Sequence, residues 1–237
     1  TNLCADTYTD TITDGAGCKD TFSFVVTEPD TLESMISDTT HILCYGDSTG
    51  VAVVTPSAGT GPYSYDWYDA PGGVTDSTAT GLPSGTYNVE VTDANGCTDT
   101  STVTITEPSD MLLASDSIPA TCTGICTGSA IVIPSGGVEP YNYSWYTIGG
   151  MPTTDTASGL CADFYNVEVT DFNGCIDTLE VEVTEPSVLS VVEVDSMATT
   201  CNGSSEGWAV VAGLGGTEPY DYWWDDELNQ TTDTATG

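Results

Sequence analysis

The chain has 237 residues, with 36 acidic side chains, one basic side chain (Lys19) and nine cysteines, for a formal net charge of −35. Such a balance argues against nucleic acid and anionic membrane as partners, because both need Lys and Arg to neutralise phosphates. It also leaves salt bridges no main part in stability. Nine cysteines in so short a chain point to an oxidising, extracellular compartment. No apolar run reaches membrane-spanning length, so no membrane insertion is expected of this segment, and no signal peptide is visible.

Taken in order, the chain opens with a loose β-hairpin at Tyr8–Pro29. A first strand is expected at Leu32–Ser37, then a Cys44-Tyr-Gly-Asp47 segment leading into a strand at Gly50–Thr55. The next strand, Pro62–Tyr68, puts Tyr63, Tyr65 and Trp67 on one face. Its counterparts are Tyr141, Tyr143, Trp145 and Tyr220, Tyr222, Trp224, and core packing is the favoured reading for all three triplets. A short strand near Thr75–Thr80 precedes a hairpin at Tyr87–Pro108. The hairpin pattern is clearest at 165–186: Tyr165, Val167 and Val169 alternate with Asn166, Glu168 and Thr170. Asp171 to Gly174 supply the turn, Leu179, Val181 and Val183 return, and Pro186 ends the strand. No segment carries helical periodicity with caps.

Three landmarks fix a repeat. The Cys after a turn Gly falls at 18, 97 and 175, Pro-Tyr starts at 62, 140 and 219, and Glu-Pro starts at 28, 107 and 185, always in steps of 78 or 79. The predicted fold class is all-β: tandem immunoglobulin-like β-sandwich repeats of about 78 residues, end to end. Residues 1–29 are the C-terminal half of an upstream repeat, 30–108 and 109–186 are complete repeats, and 187–237 are the N-terminal half of a downstream one. A section of a longer polymer is expected, with almost no linker between units. Asp10 stands where Val89 and Val167 should face a core, so that region is expected to be open or to meet a neighbour.

Aligning the repeats pairs the cysteines. Cys44, Cys122 and Cys201 share one position, and Cys18, Cys97 and Cys175 another. The unit 30–108 has only Cys44 and Cys97, so these are expected to pair, and Cys122 with Cys175 by equivalence. Cys126 and Cys161, which replace Ser48 and Pro83 together, form the extra bridge. Partners of Cys4, Cys18 and Cys201 are expected outside the chain. Closing a loop of about 50 residues contributes on the order of 4 kcal/mol in the chain-entropy model. The rival reading, zinc at Cys122-x-x-x-Cys126, suffers from a lone histidine, His41.

Little suggests catalysis. His41 is unrepeated, no glycine-rich phosphate loop opens a helix, and the acids recur in every unit whereas a catalytic site is normally single. No cofactor is expected. Asp93-Ala-Asn-Gly and Asp171-Phe-Asn-Gly offer hard oxygens suited to calcium, with ordinary turn chemistry as the favoured alternative. Asn142, Asn202 and Asn229 sit in N-glycosylation sequons, a weak signal where Ser and Thr abound. Trp223 falls in the polar-facing phase of its strand and is expected to be exposed.

The combination of Cys44, Gly46, Pro62, Tyr63, Tyr65, Trp67, Gly81, Leu82, Gly85, Tyr87, Val89, Val91, Asp93, Asn95, Gly96, Cys97, Glu107 and Pro108 resembles the SprB-type repeat, and the second unit carries most of it again. The flanking halves depart most, with Gly15-Ala-Gly17 in place of the Asn-Gly turn. The resemblance implies giant Bacteroidetes cell-surface adhesins exported by type IX secretion and linked to gliding motility, built of polycystic-kidney-disease-like or immunoglobulin-like modules. It also implies O-glycosylation at Asp-Ser/Thr pairs, here Thr39, Ser77, Ser117, Thr156, Ser196 and Thr234. The expected function is a disulfide-stiffened stalk or fibre. The alternatives are a module binding glycans or a surface, and a subunit assembling with other copies into a filament. The partners expected first are the neighbouring repeats of the same chain.

Overall fold

The computed structural model describes residues 3–146 and 152–237, which form two compact units, Thr1–Pro108 and Ser109–Gly237.

The first unit begins with a hairpin of β1 (Asp6–Thr13) and β2 (Lys19–Val26). Then come β3 (Glu33–Thr40), β4 (Gly50–Ser57), β5 (Ser64–Trp67), β6 (Thr78–Leu82), β7 (Gly85–Thr92) and β8 (Thr98–Ile105). These six strands make two antiparallel sheets, ordered β3-β4-β6 and β5-β7-β8. This is the strand order A-B-E over C-F-G of an immunoglobulin-like sandwich without its D strand.

Period-two alternation builds the core. Ala52 and Val54 of β4 and Tyr87, Val89 and Val91 of β7 point inward, while Asn88, Glu90 and Thr92 do not. Ala79, Leu82, Val103 and Ile105 close the layer around Trp67, whose indole N–H donates to the carbonyl of Asp76. Tyr63 and Tyr65 pack against this core only in part. The hydroxyl of Tyr87, near the start of β7, donates to the carbonyl of Pro83 at 2.9 Å. That bond is a tyrosine corner, a hallmark of immunoglobulin-type domains. Tyr165 repeats it onto Cys161, and Tyr8 onto Cys4.

In the second unit, β9 (Leu112–Ile118), β10 (Gly128–Ser135) and β12 (Thr156–Leu160) form one sheet. Its partner sheet holds β11 (Asn142–Trp145), β13 (Asp163–Thr170) and β14 (Ile176–Val183). Its core places Trp145 for Trp67, Val167 for Val89 and Val183 for Ile105. A third sheet follows, of β15 (Ser190–Met197), β16 (Trp208–Leu214) and β17 (Thr234–Thr236).

β15, β16 and β17 match the A-B-E sheet. A cleft of about 520 Å³ beside this sheet is lined by Leu189, Val191, Val211, Tyr220, Tyr222 and Trp224. The residues matching β5, around Tyr220–Trp224, form no strand. In the β1–β2 hairpin Asp10 lies opposite Phe22, and both are exposed. Phe24 stacks between Tyr8 and Phe22 instead of entering a core.

Candidate functional site: the two poles of each repeat

The chemistry-bearing residues gather at the two ends of each sandwich. At one end, here the loop pole, the chain after β3 folds back onto the end of β8. The Ile42 amide donates to the carbonyl of Thr106, and the Ile42 side chain is buried. The turn that follows contains Cys44, with Gly46 at φ +79°. Glu107 holds this turn from 61 residues away. One carboxylate oxygen accepts the Gly46 amide at 2.7 Å and the other accepts the Ser84 hydroxyl at 2.6 Å. The Ser84 hydroxyl first, then the Gly46 amide, hold the Glu107 carboxyl below the ordinary range. In the second repeat Glu185 accepts the Gly124 amide at the same distance, and Ala120 docks onto Thr184 as Ile42 does onto Thr106. The Glu of the repeating Glu-Pro is therefore a clamp on the Cys-x-Gly loop.

The opposite end, the tip pole, is the β7–β8 turn. Asp93 is buried, and one carboxylate oxygen accepts the amides of Asn95 and Cys97, both at 2.9 Å. Its other oxygen accepts the Thr60 amide from the β4–β5 connection at 3.0 Å. Burial pushes this carboxyl up, but the amides of Cys97, Thr60, Asn95 and Gly96 outweigh it and hold it below the ordinary range. The Asp171 carboxylate likewise accepts the amides of Asn173, Cys175 and Val138, each at 2.9 Å. Asp14 takes the amides of Ala16 and Cys18, so the turn survives replacement of Asn-Gly by Gly15-Ala-Gly17. The signal Asp-x-x-Gly-Cys was present three times in the sequence. These contacts are the turn chemistry favoured from the sequence: the oxygens of Asp93 and Asp171 face N–H donors. Among the described residues no cluster of His, Cys, Asp and Glu could hold a metal.

The poles also correct two cysteine pairings. Cys44 lies beside the end of β8 and Cys97 just before its start. Eight residues of strand separate them, about 27 Å at the rise of a β-strand. A disulfide needs its Cα atoms within about 7 Å, so Cys44 cannot reach Cys97. β14 separates Cys122 from Cys175 in the same way. Cys97 and Cys122 are exposed thiols, as are Cys4, Cys18 and Cys201. Cys44 and Cys175 are each disulfide-bonded. Cys126 is bonded to Cys161, joining the loop pole of the second repeat to the β12–β13 connection.

The hydroxyls singled out in the sequence lie on or just before the two edge strands of each A-B-E sheet. Thr39, Ser117 and Ser196 are on β3, β9 and β15; Thr156 and Thr234 begin β12 and β17; Ser77 precedes β6. The preceding Asp accepts the amide of Thr39, Ser77, Ser117 and Ser196, and the hydroxyl of Thr156 and Thr234. Asp-Ser/Thr thus has a local hydrogen-bonding role of its own. Asn142, Asn202 and Asn229 are exposed, and Trp223 is 73% exposed. His41 accepts the Thr106 amide through Nδ1, a backbone contact at the loop pole.

Two successive six-stranded sandwiches, each with a tyrosine corner and a clamped turn at either end, define a tandem immunoglobulin-like array. Two stretches of it are similar to a known repeat: the family model described as SprB repeat matches residues 36–72 and 114–150. Both matches cover the first half of a sandwich and leave the β7–β8 and β13–β14 hairpins outside. No curated protein matches the chain. Among solved structures, the N-terminal four Ig domains of Dscam1 isoform 9.44 match at 15% identity and TM-score 0.30, covering 72% of this chain and 51% of that one. Protocadherin Gamma B2 extracellular cadherin domains 1–5 match at 10% identity and TM-score 0.28, covering 91% and 59%. Surface layer protein SbsC, domains 1–6, matches at 13% and 0.27, covering 98% and 40%. The chain spans about half the length of the first of these structures. It is the strand order and the tyrosine corner, not these matches, that make each repeat immunoglobulin-like.

Proposed function

We propose that the chain is a non-catalytic stalk segment of a secreted cell-surface adhesin. One observation carries this reading: the same core, corner and pole clamps are rebuilt in successive repeats, so whatever the chain does it does serially. A stalk needs modules that resist extension along the chain. In each repeat, Glu107 or Glu185 ties the last residues of the sandwich to the loop after its first strand. The second repeat adds Cys126–Cys161, which encloses 35 residues of sequence separation. The SprB matches support the cell-surface setting, and the oxidised cysteines support export.

Single-molecule stretching tests this. In a chain with Cys44 and Cys175 replaced by Ser, each complete repeat is expected to give a discrete unfolding step. Further replacing Cys126 and Cys161 is expected to lengthen only the second repeat's step, by roughly 120 Å at about 3.4 Å per freed residue. Extension without discrete steps, or steps of equal length with and without the bridge, would remove the load-bearing reading.

A further inference from the structure

The two sandwiches fasten their first strand to the opposite sheet by different chemistry. In the first repeat the fastening is polar. One carboxylate oxygen of Asp99, on β8, accepts the Ser34 amide at 2.6 Å and the Ser34 hydroxyl at 2.8 Å. The Ser101 hydroxyl lies 2.9 Å from that of Ser34 and donates to the Ser34 carbonyl at 2.8 Å. β3 and β8 belong to different sheets, so these bonds tie the two layers together. In the second repeat the matching positions are Leu113, opposite Pro134 as Ser34 is opposite Pro56, and Leu179. Both leucines pack against the core. Asp177 matches Asp99, but among the described residues it accepts only the amide of its neighbour Thr178.

The backbone ladder differs at the same place. The β3–β4 pairing jumps from Ile36–Val54 to Asp38–Val53, so Ser37 is an extra residue, a β-bulge. β9 pairs with β10 at seven consecutive residues without a break. The bulge divides β3. Its last part runs on to Ile42, whose amide and buried side chain fix it to the end of β8. Its first part, Glu33–Ile36, keeps a short stretch of ladder, the partly buried Ile36 and the Asp99 contacts. We infer that Glu33–Ile36 is a strap, which swings out as a unit about the bulge at Ser37 once its bonds to Asp99 are broken, while the rest of the sandwich stays folded. Hydrogen bonds to a charged group are stronger than neutral ones, and these serve the strap alone, so they set its opening apart from that of the core. Leu113 and Leu179 belong to the core packing itself, so the start of β9 opens only with the core. β3 is the first strand of its sandwich, so a pull on the chain before it reaches the strap first. The first repeat then yields in two stages and the second in one.

Strap opening is a property of one sandwich and holds whether or not the chain bears load. Amide hydrogen exchange of the full 237-residue chain, read residue by residue by NMR at one pH, tests it. Asp99→Ala is expected to speed exchange at Met35 and Thr55, which face each other across β3 and β4, by about tenfold or more. Val89 and Val91 in the core strand β7 are expected to keep their rates. Ser34→Ala, the milder change, is expected to act in the same direction on Met35 and Thr55. Asp177→Ala is expected to leave Leu113 and Ala114 of β9 unchanged. Faster exchange at Ser34 alone would reduce the contact to a local bond and overturn the strap. So would equal acceleration at Met35 and Val89, unfolding of the whole repeat by Asp99→Ala, or release of β9 by Asp177→Ala.

Discussion

Gly50 opens β4 at the loop pole, and its lack of a side chain lets β4, β6 and β8 close together. A Cβ placed there would lie 2.6 Å from Cγ2 of Ile105 and 2.7 Å from the carbonyl oxygen of Leu82. Carbon atoms pack best at about 3.5–4.0 Å. The Leu82 carbonyl is backbone paired with Gly50 itself and Ile105 is fully buried, so neither can swing aside. Gly50→Ala should then carry the usual cost of overpacking a tight core, about 2 kcal/mol. At ~4–8 °C per kcal/mol for a domain of 60–100 residues, the first repeat should melt roughly 8–16 °C lower. Calorimetry of the full chain reads this, with Gly128→Ala as the companion: its Cβ would meet Val183, so only the second repeat should move. The Gly50→Ala cost should shrink in an Ile105→Ala background, since one of the two clashing atoms is gone. An unchanged melt for Gly50→Ala, or an equal cost with and without Ile105, would refute the packing assigned to this pole.

Tyr87→Phe removes the hydroxyl that donates to Pro83 and should cost about 1 kcal/mol, the net worth of one hydrogen bond, seen as a melting point several degrees lower. Acid should unfold the first repeat through Asp93 and Asp99. The Ser34 hydroxyl, then its amide, hold Asp99 low; at Asp93 the amides win over burial. Both folded values lie below the unfolded value near 3.9. Their stabilisation is thus complete above about pH 4 and is lost as pH falls through the folded values, which melts between pH 5 and 2 would follow. Asp93→Asn should lower stability at neutral pH, because its amide nitrogen would face the Thr60 N–H, and should flatten the acid limb.

The sandwich was legible wherever a pattern is local. Alternation at Tyr87, Val89 and Val91 gives the strands and the 78-residue period gives the recurrence of the sandwich, since side-chain period and chain self-similarity need no tertiary information. The tyrosine corner was legible in principle: Tyr8, Tyr87 and Tyr165 each follow the accepting residue by four. Glu107 was not, because its partner Gly46 lies 61 residues away and nothing in Glu-Pro marks a clamp. The Cys44–Cys97 pairing failed for a related reason. Comparing repeats counts cysteines but does not say at which end of a strand each sits. The length of β8, from Thr98 to Ile105, carries that information. Around Tyr220–Trp224 the aromatic alternation matches β5, yet no strand forms there.

The separation of the two poles can be read from the Cys97 thiol. With Cys4, Cys18, Cys122 and Cys201 replaced by Ser, a nitroxide on Cys97 should broaden the amide signals of Thr60 and Ala94 beside the tip. Those of Gly46 and Glu107, about 27 Å of strand away, should stay sharp. Broadening at Gly46 together with Thr60 would place both cysteines at one end of the sandwich and contradict the account.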